Sequence, residues 1–108
     1  MKFAARAAPS IRTKAPLLTV LVARDGSRFM ARCPELDLVT EMDDEQASIQ
    51  AMTEMIREYA DDYRAGRREF STSPNRAHHR PYVDRVLACR GEWDLRELIE
   101  ARCGRIHI

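Results

Sequence analysis

Acidic, histidine and cysteine side chains are the first places to look for chemistry in this 108-residue chain. The candidate carboxylates are Asp25, Glu35, Asp37, Asp43 and Asp44, close together in sequence. Carboxylates that converge can hold two divalent ions for phosphodiester cleavage. Most of these acids have a simpler use. Asp25 precedes Gly26 in a turn signal, and Asp43 and Asp44 open a helix. Asp37 alone falls within a predicted strand, beside Glu35 near its start, and one acid does not make a two-metal site. His78-His79 is a second candidate. Adjacent side chains diverge on a strand or a helix, and metal pairs prefer wider spacing such as i and i+4. The pair therefore reads as exposed polar loop. Cys103 and His107 are four apart, but Gly104 interrupts the helix that would align them. With no CxxC, zinc is not expected. Cys33 reads as core filler, with no nearby His to activate it. No catalytic residue, metal or cofactor is expected, and the chain reads as non-enzymatic.

The sharpest electrostatic feature is the segment from Arg64 to Arg90. It holds seven arginines against Glu69 and Asp84, a local excess of five positive charges. Arg64, Arg67, Arg68, Arg76, Arg80 and Arg85 are the candidate patch for phosphate, on nucleic acid or on an acidic partner. A solvated Arg-rich loop is the plain alternative. Only Phe70 and Tyr82 interleave, which gives single-stranded RNA little to stack on.

The elements that would carry these residues follow from the pattern. Residues 17–24, "LLTVLVAR", read as a buried strand. Asp25-Gly26 is a hairpin signal, because glycine tolerates positive φ. Residues 27–33 alternate: Phe29, Ala31 and Cys33 share one face, and Arg28, Met30 and Arg32 share the other. The second face is the candidate partner-facing surface. Pro34 cannot donate to a ladder and should end the strand. A third strand falls at about 36–41. A long helix follows over about 44–65, with Asp44 as N-cap and an apolar stripe of Ile49, Met52, Ile56, Tyr59 and Tyr63. Gly66 is its natural stop. Residues 67–80 read as a loop. "PYVDRVLACR" suits a helix with Pro81 in its first turn, with a strand as the alternative. A C-terminal helix is expected over about 93–103, with Trp93, Leu95, Leu98 and Ile99 apolar, and "RIHI" offers a short terminal strand.

Length and composition bound the classes available. One domain is expected, residues 15–108, after a flexible N-terminal arm over 1–14. The chain is 44% hydrophobic and 32% charged, with a formal charge of +1. No global field drives it toward nucleic acid or membrane. No apolar run approaches a membrane span. Three widely spaced cysteines and no secretory signal point to a reducing cytoplasm.

The order strand, DG turn, strand, proline, strand, capped helix resembles the HicB antitoxin family and its stand-alone HicB-like relatives. The matching residues are Asp25-Gly26, Phe29-Met30-Ala31, Pro34-Glu35-Leu36 and Thr40-Glu41, within residues 17–66. Three positions depart. Met42 stands where the family has Gly, Asp44 where it has Thr or Ser, and Ala47 where it often has Glu, so the reciprocal capping box is lost. The resemblance implies a partial RNase H-like α+β domain: a three-stranded antiparallel meander, one long helix packed across it, and a fourth strand near 81–89. On that last point it overrides periodicity. It also implies a protein that binds and blocks a small toxin ribonuclease cleaving mRNA. The family's C-terminal DNA-reading segment has no convincing counterpart here. The expectation is thus an antitoxin-type binding protein, a homodimer without chemistry of its own. The alternative is a nucleic-acid-binding regulator using residues 64–90.

Overall fold

The computed structural model describes residues 16–66 and 76–104; the expected N-terminal arm, Arg67, Arg68 and His107 lie outside them. The first half follows the alternation. Strand β1 (Leu18–Asp25) pairs antiparallel with β2 (Arg28–Cys33), and β2 pairs antiparallel with β3 (Leu38–Met42). Asp25 still pairs with Arg28, so the turn itself is Gly26-Ser27. Gly26 has φ +64°, while Ser27 does not have positive φ, the pattern of a II′ hairpin.

Helix α1 (Glu45–Ala65) crosses one face of the sheet. It starts where expected: the Ala47 amide donates to Asp44 Oδ1 at 2.8 Å, which satisfies one orphan N–H of the first turn. Met52, Ile56 and Tyr63 from the predicted stripe are fully buried, and Ser48, Thr53 and Ala60 join them. The two polar members do not waste a donor. Ser48 Oγ donates to the Glu45 carbonyl and Thr53 Oγ1 to the Ile49 carbonyl, both at 2.8 Å. This face packs on Leu18, Val20, Val22, Ala31, Cys33 and Leu36. Burial of Met52 or Ile56 contributes about 1.5–3 kcal/mol each.

Two elements differ from the expectation. Residues near 81–89 are not the fourth strand; they form helix α2 (Arg80–Leu87), with Pro81 in its first turn and Val83 and Val86 buried. Spacing of three with proline at the start is helical chemistry, and here the resemblance misled where periodicity did not. The C-terminal helix is likewise not 93–103. Helix α3 is only Glu92–Glu97, and β4 (Ile99–Cys103) follows it. The outer edge of β1 decides this. The Leu17 and Leu18 amides both donate to the Leu98 carbonyl at 2.8 Å, and the Gly104 amide donates to Val22 O at 2.9 Å. A strand there satisfies backbone groups that a longer helix would leave open. β4 runs parallel to β1, giving the sheet order β3-β2-β1-β4. Trp93, expected on an apolar stripe, is 75% exposed. The architecture is α+β with four strands and a long helix across them, as expected.

Glu35 has a structural task. Its Oε1 accepts the Thr19 amide and its Oε2 accepts the Thr19 hydroxyl, both at 2.9 Å. The carboxylate thereby ties the β2–β3 turn to the start of β1. Glu35→Ala is expected to cost about 1.5–3 kcal/mol, because the bonds are to a charged group and the amide is left unpaired. Urea denaturation checks it, and an unchanged midpoint would show that water replaces the carboxylate.

Candidate functional site

The register places side chains on two faces of the sheet. Val20, Val22, Ala31 and Cys33 point to the helices and are buried. Thr19, Leu21 and Ala23 of β1, Arg28, Met30 and Arg32 of β2, and Val39 and Glu41 of β3 take the other face. No described helix lies over it. Leu21, Arg32 and Val39 form one cross-strand row, continued by Arg102 of β4; Ala23, Met30 and Glu41 form the next. Val39 is 52% exposed, Met30 is half-buried, and Arg28 and Arg32 are exposed.

The cations on this face are not equivalent. Arg28 Nη1 lies 3.0 Å from Asp43 Oδ1, and its Nε lies 3.5 Å from Glu41 Oε2. Arg102 Nε lies 3.2 Å from Glu100 Oε2. Arg32 has no such carboxylate among the described residues. The face therefore offers an apolar strip of Leu21, Met30 and Val39 beside one uncompensated guanidinium. Two of the strands, β3 and β4, are sheet edges with a free ladder side among the described residues.

The arginine-rich segment is divided among elements. Arg64 lies in the last turn of α1, where a cation suits the helix dipole. Arg76 sits over the Tyr59 ring, 5.6 Å from its centroid. Arg80 Nε lies 3.8 Å from Asp84 Oδ2, and Arg85 is exposed on α2. Of the four described members of the candidate patch, Arg76 and Arg80 are thus already engaged within the chain.

The acids do not form a joint site either. Asp25 closes the hairpin, Glu35 holds Thr19, Asp43 faces Arg28 and Asp44 caps α1. Cys33 is buried, and burial first of all, with the Glu35 carboxylate adding, pushes its thiol up to about 12. It is no nucleophile at neutral pH. Above the ordinary 9.0 the unfolded chain has lost this proton while the folded chain keeps it. Stability therefore falls as pH rises from about 9 to about 12, by up to about 1.4 kcal/mol per pH unit. Cys33→Ala is expected to flatten that part of the alkaline stability profile relative to wild type. Parallel profiles would mean that the thiol contributes nothing.

One grouping was missed from sequence. Asp37 is not in a strand: β3 starts at Leu38, and Asp37 takes the left-handed conformation with φ +57° in the preceding turn. A 3-10 turn, Ala77–His79, brings His78 and His79 against it. The imidazole rings pack edge-on with centroids 4.3 Å apart. The divergence expected of adjacent histidines holds for regular elements and fails on this tight turn. His79 is 2% exposed; its Nδ1 shares a 2.6 Å hydrogen bond with the Tyr59 hydroxyl. Its Nε2 is buried without a hydrogen bond, 3.4 Å from Asp37 Oδ2. Burial and, next, the charge of His78 hold His79 below the ordinary imidazole range, against the Asp37 carboxylate. Leu36, Asp37, Leu38, Tyr59, Arg76 and His79 line a cavity of about 290 Å³. No sequence signal joins Asp37 to residues so far along the chain.

Residues 18–101 match the PHD-like family described as the antitoxin of toxin–antitoxin, RelE / RelB, systems. The chain belongs to this antitoxin family. A crystal structure from Syntrophomonas wolfei subsp. wolfei, described as an antitoxin part of a proposed toxin/antitoxin system, is similar in fold and sequence. The TM-score is 0.72 with 27% identity, over 82% of this chain and 64% of that one. The antitoxin-family chain thus spans less than two thirds of that neighbour's length. No curated protein matches it. Among the described residues, no helix is long and apolar enough to cross a membrane.

Proposed function

We propose that this antitoxin-family chain neutralises a small toxin protein by docking it on the open face of the sheet, without chemistry of its own. The observation that carries the reading is the face itself: Leu21, Met30 and Val39 lie beside Arg32, which no carboxylate of the described chain compensates. A matching partner presents apolar side chains and one carboxylate. The family membership supports a toxin as that partner. The HicB-like order of the first three strands and helix supports an mRNA-cleaving ribonuclease as the kind of toxin. The exposed edges of β3 and β4 support strand addition by the partner or by a second copy as a homodimer. Three cysteines in no disulfide, one of them exposed, suit a reducing cytoplasm.

Capture from the native host with tagged full-length chain, at low and high salt, tests this reading. Recovery of a small ribonuclease-like protein that survives high salt is expected. Recovery of nucleic acid alone, washed off by salt, would overturn it in favour of the arginine segment.

A further inference from the structure

The corner formed by Asp37, His78 and His79 takes no part in the docking face. We infer that these three residues bind a divalent transition-metal ion of the zinc class. The donor set is two imidazoles and one carboxylate, the borderline nitrogen and oxygen ligands that such ions prefer. One candidate ligand atom from each residue lies within 4.8 Å of the other two. A tetrahedral ion with bonds of about 2.0–2.1 Å needs ligand atoms about 3.3 Å apart. His79 Nε2 and Asp37 Oδ2 already stand at 3.4 Å. Asp37 and His78 are exposed and are free to turn inward the remaining distance.

The second observation concerns His79 alone. Its Nε2 is buried without a hydrogen bond, which leaves a desolvation penalty that the Asp37 carboxylate, 3.4 Å away, only partly offsets. An ion at Nε2 would remove it. The other ring nitrogen is already anchored: Nδ1 shares a 2.6 Å hydrogen bond with the Tyr59 hydroxyl, and an ion on Nε2 would place the proton on Nδ1 as its donor. A ligating histidine held by a hydrogen bond from its far nitrogen is the usual arrangement at metal sites. The adjoining cavity has room for water as a fourth ligand. Arg76 on the Tyr59 ring opposes a second cation, and the Asp37 carboxylate offsets it. Bound metal would fasten the 3-10 turn, and with it the start of α2, to the β2–β3 turn.

The test uses chelator-treated full-length protein titrated with Zn²⁺ by calorimetry and with Co²⁺ by absorption and proton NMR. One ion per chain is expected, with hyperfine-shifted N–H signals from two imidazoles in the Co²⁺ form. Asp37→Asn and His78→Ala are both exposed changes, and each should weaken binding at least tenfold with unchanged circular dichroism. Cys103→Ser should leave binding as it is. Absence of stoichiometric binding at micromolar metal would overturn the inference. So would affinity that neither exposed variant lowers, or affinity lost only in Cys103→Ser.

Discussion

Tyr63→Ala is expected to lower folding stability by about 3–5 kcal/mol, with a fall in melting temperature of roughly 15–25 °C. The side chain is fully buried and is among the largest in the core. It sits on α1 between the sheet and the second half of the chain. Its hydroxyl donates to the Arg76 carbonyl at 3.2 Å, and its ring meets Tyr59 edge-on at 6.0 Å. Truncation opens a cavity and also removes one bond to the residue that leads into the 3-10 turn. Total stability for a domain of this size is about 5–15 kcal/mol, so the variant should be marginal at best. Tyr63→Phe keeps the ring and loses the hydroxyl with its bond to Arg76, at about 1 kcal/mol. Calorimetric melting of the three proteins checks both figures. Equal losses in Ala and Phe would mean that the hydroxyl, rather than packing, holds the region.

The second large effect concerns the partner. Arg32→Glu with Val39→Asp is expected to weaken toxin capture by about 100-fold or more, equivalent to about 2.7 kcal/mol or more of binding. The two residues are directly opposed on β2 and β3, and both are exposed. The double change reverses the one uncompensated charge of the face and breaks its apolar strip. Exposed substitutions of this kind usually move folding stability by no more than about 0.5 kcal/mol each. Loss of capture without loss of fold therefore isolates the surface.

How far the sequence led depends on how local each signal was. The alternation of β2, glycine in the hairpin and Asp44 at the helix start are decided by neighbours in sequence, and all three were legible. The strip carrying Arg28, Met30 and Arg32 was assigned to one face by the same period-two rule, and the register places them there. β4 was not legible, because "IEARC" carries no strand pattern of its own. Its conformation answers the open edge of β1, a demand visible only once β1 is folded. α2 is legible in Pro81, Val83 and Val86, against the fourth strand that the HicB resemblance implies. The Asp37–His78–His79 corner needed two uncommon local shapes at once, a left-handed aspartate and a 3-10 turn. Aspartate is one of the few side chains that tolerate the first, but residue type dictates neither.

The function proposed for this chain turns on a protein partner binding the open face of its sheet. The most direct measurement is hydrogen exchange of the full-length chain, free and with the captured partner. Added protection is expected in β2 and β3 around Met30, Arg32 and Val39. Unchanged exchange in those strands, with protection confined to α2 and the arginine segment, would contradict it.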